Sequence, residues 1–143
     1  MPYDIRDKLW QLRRLRIDAS VHLASASEYF ARATHGMSYR RATDTGGTGH
    51  CPLTDYALLY AKERDEGREY AGRASALWAE LSPIVDALPD LDARMVIACY
   101  YNNAMTWDEV RRAVKRSEIA VQKLHREALR RMEVAPYNPP MIQ

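Results

Sequence analysis

Thr106, Glu109, Ser117, Glu118, Gln122, Lys123, Arg126 and Arg130 fall within 25 residues, and their types and spacing suggest recognition chemistry. Thr106 precedes Glu109 by three positions, the spacing at which a hydroxyl and a carboxylate cap a helix start reciprocally. Ser117 is a second candidate cap. Between them stand Val110, Ala113 and Val114, and after them Val121, Leu124, Ala128 and Met132, spaced 3-4-4. One reading is a single basic helix over 106–132. The other is two helices broken at Lys115-Arg116-Ser117. The break is favoured because it gives Thr106, Glu109 and Ser117 a shared reason to be where they are.

With the break in place, the second helix packs an apolar face and presents a polar, basic one. A short helix, a tight turn and a second helix of this kind form a helix-turn-helix, which reads double-stranded DNA through the major groove. The side-chain chemistry fits that task. Gln122 can bond an adenine bidentately, Lys123 and Arg126 can reach guanine or phosphate, and Glu118 can accept from a cytosine amino group. Thr106, Lys115, Arg116 and Ser117 lie at the helix starts and the turn, where phosphates are held. Arg130 extends the same face.

The elements around this stretch are all helical, and no strand pattern occurs. Ile5, Leu9, Leu12, Arg16, Ala19, Leu23, Ala26 and Phe30 repeat at 4-3 spacing, which predicts a helix over 3–33 with Arg16 the one misfit in its seam. Residues 34–54 are rich in glycine, threonine and serine and read as a flexible loop. Tyr56, Tyr60, Glu63, Gly67, Tyr70, Ala74, Leu77 and Leu81 restore the 4-3 spacing, with Gly67 as a weak point. Two long amphipathic helices joined by a loop make a long antiparallel helical hairpin, a surface on which copies can associate into a homo-oligomer. Ser82-Pro83 predicts the start of a new short helix, Pro89 its end, and Asp90 the cap of the next. Asn102 or Asn103 is the expected left-handed terminator. The predicted organisation is thus a hairpin over 1–88, a helix-turn-helix over 89–133 and a frayed tail over 134–143.

Composition narrows the function further. No apolar run reaches the roughly 20 residues of a membrane span, and the charged N-terminus lacks an apolar secretion core. A cytoplasmic protein of the bacterial host cell is expected, with no membrane partner. Cys51 and Cys99 are too few for a disulfide framework. His35, His50 and Cys51 show no metal-ligand spacing, so neither a metal nor another cofactor is expected. Carboxylates in "KERDEGRE" sit at exposed helical spacing, and no nucleophile or phosphate-loop motif occurs, so an enzyme is not expected. Charge is uneven: eight basic against four acidic residues over 1–41, five against ten over 42–105, and eight against five over 106–143. The two basic ends are the regions suited to a polyanion.

Residues 88–132 carry Leu88, Pro89, Arg94, Tyr101, Thr106, Trp107, Glu109, Val110, Ser117, Val121, Ala128, Leu129 and Met132 in a recognisable order. This order resembles the region 4 helix-turn-helix of sigma factors. With a helical hairpin before it, the chain is similar to small phage transcriptional regulators of the RinA and ArpU type. The resemblance implies sequence-specific DNA binding and activation of phage late genes. Lys115-Arg116 departs from it, since the turn usually carries a small residue there. Sigma-like units also dock on RNA polymerase, which makes an interaction module one alternative. A phage terminase small-subunit-like DNA-recognition protein is another.

Overall fold

The computed structural model describes the backbone of residues 4–43 and 52–134, and the side chains of 4–34 and 54–133. Among the described residues every element is helical. Helix α1 spans Ile5–Thr43, α2 Pro52–Asp86, α3 Leu91–Ile97, α4 Trp107–Val114 and α5 Glu118–Val134. A π-helical turn, Ala98–Asn102, continues α3.

Three sequence expectations are corrected. First, α1 does not stop at 33. It continues to Thr43, and α2 begins at Pro52, so much of the expected loop over 34–54 is helical. No proline interrupts residues 34–43, and Gly36 costs only about 1 kcal/mol against alanine. The Thr34 hydroxyl donates back to the Phe30 and Ala31 carbonyls at 3.1 and 3.0 Å, within its own helix. Second, Ser82-Pro83 starts no new helix: α2 runs through Pro83 to Asp86. Proline removes one backbone bond, but Leu81 and Val85 are buried on either side of it, at 0% and 2% exposure. Burying two such side chains contributes about 3–6 kcal/mol, which matches or exceeds the roughly 3 kcal/mol cost of the proline. Third, neither Asn102 nor Asn103 is left-handed. Asn103 has φ −99°, and Ala104 takes the positive φ, 53°. The reason lies in the π turn. Asn103 N–H donates to the Ala98 carbonyl at 3.1 Å, and the Asn102 side chain accepts from Arg16 Nη2 at 2.9 Å. Both asparagines are thereby held inside the helical path, and the reversal falls one residue later.

The chain forms two compact units, Met1–Arg16 with Arg73–Gln143, and Ile17–Gly72. In the first, Ile5, Leu9 and Leu12 of α1 and Ala74, Leu77, Leu81 and Val85 of α2 share one core with α3, α4 and α5. Tyr100 and Tyr101 are both buried there. Adjacent residues of an α-helix point about 100° apart; the wider π turn lowers that angle and lets both rings enter the core. In the second unit, α1 and α2 touch through Tyr29–Tyr56, Phe30–Tyr60 and His22–Tyr70 ring contacts. Gly67, expected to be a weak point, lies against the other helix: a Cβ there would stand 2.8 Å from Leu23 Cγ.

Candidate nucleic-acid interface

Helix α4 starts as its sequence predicts. Thr106 Oγ1 accepts the Glu109 N–H at 3.3 Å, and Glu109 Oε1 accepts the Thr106 N–H at 3.3 Å and its hydroxyl at 3.0 Å. The helix ends on Lys115, whose φ 60° and ψ 46° are left-handed and whose N–H reaches the Arg111 carbonyl. Ser117 Oγ then accepts the Ala120 N–H at 3.2 Å and opens α5. The expected break between two capped helices is therefore present at residues 115–117. A lysine in this conformation costs roughly 1 kcal/mol, which glycine does not incur. Lys115→Gly is accordingly expected to raise the stability of this region by about 1 kcal/mol, read from urea melts; a loss of stability would mean that the lysine side chain, not the turn, matters.

Helix α5 has two distinct sides. Val121, Ala128, Leu129 and Met132 are buried. Glu118, Gln122, Lys123, Arg126 and Arg130 are all exposed. These five residues, with Ser117 at the cap, form one continuous surface from the helix start outward. Gln122 Nε2 lies 3.5 Å from Glu118 Oε1, a long contact that leaves both groups available. Arg116 is placed differently. Its Nε and Nη2 donate to Asp92 Oδ2 at 3.0 and 2.6 Å, tying the connection to the start of α3. The Thr106 hydroxyl is likewise engaged, within its own cap. Lys115 remains exposed at the turn.

Sequence reasoning gave three features no role. Ile119, 80% exposed, stands on the outer surface in the first turn of α5. Its spacing relative to Val121 was visible, but an apolar residue among charges gave no functional signal. Arg13 Nη1 donates to the backbone oxygens of Tyr100 and Met105 at 2.6 and 2.9 Å, with its guanidinium 4.0 Å from the Tyr100 ring centre. Nothing in the spacing marked it. Arg16, by contrast, was the polar misfit of an apolar seam, and it bonds Asn102. Together these arginines clamp the bend that leads into α4.

Behind the surface lies an aromatic cluster. Trp107 stacks on Tyr100 with ring centres 3.9 Å apart. His125 Nε2 is 2.7 Å from the Tyr101 hydroxyl. Burial drives the His125 imidazole down to about 4, with Arg6 adding to the effect. Burial also pushes the Tyr101 phenol up to about 12. Both are therefore uncharged at neutral pH, and α5 packs on neutral aromatic rings. No helix among the described residues is long and apolar enough to cross a membrane.

No known protein family, curated protein or solved structure matches this chain.

Proposed function

We propose that this chain is a sequence-specific DNA-binding regulator of transcription in which α4, the Lys115–Ser117 connection and α5 act as a helix-turn-helix. The supporting observation is the two-sided α5: capped by Ser117, buried on Val121, Ala128, Leu129 and Met132, and exposed on Gln122, Lys123, Arg126 and Arg130. A helix seated this way offers its first turns to base edges and its cations to phosphates. Ile119 suits the one apolar group on a major-groove edge, the thymine methyl. On this reading the first 88 residues are a helical hairpin that positions the reader and joins copies of it. Activation of phage late genes in a bacterial host follows from the sigma region 4 and RinA/ArpU resemblance.

Selection from a random duplex pool, followed by footprinting on the chain's own upstream DNA, tests this. Wild type is expected to bind with a log–log salt slope of about −0.9 per phosphate contacted. Arg126→Ala and Lys123→Ala should each weaken binding by about 1–3 kcal/mol with unchanged thermal stability. Failure of the wild-type protein to bind any duplex at low salt would sink the reading. Leu91, 61% exposed, favours a second one, docking of this unit on RNA polymerase; co-purification with polymerase without DNA affinity would support it. A ring-sized particle mass would instead favour the terminase small-subunit-like alternative.

A further inference from the structure

We propose that His22, Glu63 and Glu66 form a binding site for a divalent transition-metal cation, zinc foremost, within the unit Ile17–Gly72. This rests on the geometry of that unit and is independent of the DNA-binding reading. His22 comes from α1, and the two glutamates from α2, one helical turn apart. Nδ1 of His22 lies 2.6 Å from Glu63 Oε2 and 3.3 Å from Glu66 Oε2. The ligand atoms of the three all lie within 4.8 Å of one another.

Those distances can be compared with what a cation requires. Tetrahedral zinc holds nitrogen and oxygen ligands at about 2.0–2.2 Å, which places the ligand atoms roughly 3.3 Å apart. The His22–Glu66 edge has that length already. The His22–Glu63 edge is the length of a shared proton, and it opens by roughly 0.7 Å when a cation replaces that proton. The three side chains are 26%, 21% and 41% exposed, so water can complete the coordination.

Charge points the same way. Two carboxylates converge on one imidazole, and a third, Asp18, also acts on it. A proton on His22 offsets this only in part; a dication offsets more. Tyr70 stacks on His22 at 5.3 Å between ring centres, 14° from parallel, and so fixes the direction of Nδ1. One imidazole with two carboxylates suits zinc; magnesium and calcium prefer all-oxygen sets. A bound cation would join α1 to α2 through side chains that no sequence motif brings together, since His22 and Glu63 are 41 positions apart.

The full chain, stripped with a chelator, is titrated with Zn2+ by calorimetry and with Co2+ by visible absorption. One cation per chain is expected, with tetrahedral cobalt bands and a melting temperature that rises with zinc concentration. His22→Ala and Glu66→Gln should each reduce affinity at least roughly tenfold. Cys51→Ser, a control for that thiol as a ligand, should leave it unchanged. If His22→Ala does not fold, Glu66→Gln decides, because Glu66 makes only the longer contact. Absence of binding in the wild-type chain overturns the proposal. So does binding that survives Glu66→Gln at full strength or vanishes on Cys51→Ser.

Discussion

Trp107→Ala is expected to destabilise the unit containing α3, α4 and α5 by about 3 kcal/mol, the low end of the range for truncating a large aromatic side chain, because the indole is half-buried and packs against the core from its edge. The indole lies nearly flat on Tyr100, 14° from parallel with ring centres 3.9 Å apart. Its ring centre is 4.9 Å from that of His125, and the two planes cross at 72°. Tyr100 in turn carries the Arg13 guanidinium on its ring. Removing the indole therefore opens a hole under Tyr100 and leaves Arg13 clamping a ring that can move. Aromatic pairs add about 0.5–1.5 kcal/mol beyond area burial, and Trp107 makes two such contacts. The loss is a fifth or more of the roughly 5–15 kcal/mol that holds an ordinary domain together. Urea melts followed by far-UV circular dichroism measure it. Trp107→Phe keeps a ring for Tyr100 and should recover more than half of the loss. A change below about 1 kcal/mol for the alanine variant would show that the stack does not support the fold.

The same substitution separates scaffold from surface. Arg126→Ala removes an exposed cation and leaves the core untouched, whereas Trp107→Ala removes the floor on which α5 rests. If the α5 surface binds DNA, both variants bind more weakly, but only the tryptophan variant also melts at a lower urea concentration.

How far these features were legible depends on the kind of interaction that fixes each one. Helix periods and caps are local. The Thr106–Glu109 pair, Ser117 and Asp90 all cap as their spacing predicts, because each bond closes within three residues. The buried side of α5 was equally readable, since a 3-4-4 apolar spacing has one helical meaning. What misled were residues whose behaviour is decided by distant partners. Pro83 looks like a helix start until the burial of Leu81 and Val85 is counted. Gly67 looks like a flaw until Leu23 is found against it. Asn102 looks like a left-handed cap until Arg16, 86 positions away, holds its side chain. Arg13 reaches Tyr100 over 87 positions. Each of these outcomes depends on a contact between helices, and a one-dimensional pattern does not carry it.

Acid should weaken the aromatic cluster through His125, and the sign follows from where its proton binds. In the unfolded chain the imidazole titrates near 6.5. In the folded protein burial holds it down to about 4. Above 6.5 both states carry neutral histidine, and the stabilisation is fully present. As pH falls from 6.5 toward 4 the unfolded state takes up a proton that the folded state refuses, so folding stability declines. The difference amounts to about 3 kcal/mol at the acid end. The hydrogen bond itself is not the cause. Tyr101 keeps its proton up to about 12 and can donate to neutral Nε2 or accept from a protonated one. The cost is that of placing a cation among Tyr100, Tyr101 and Trp107 with Arg6 nearby, where the rings replace water. His22 has the opposite sign. Its imidazole is raised, first by the hydrogen bond to Glu63, so its contribution is present below 6.5 and is lost as pH rises through the folded value. Proton NMR separates the two, because each ring titrates with its own midpoint. His125 is expected to stay neutral until pH approaches 4, and His125→Gln should flatten the stability profile between 6.5 and 4. A His125 midpoint near 6.5 would mean that water reaches the ring and that the cluster is open.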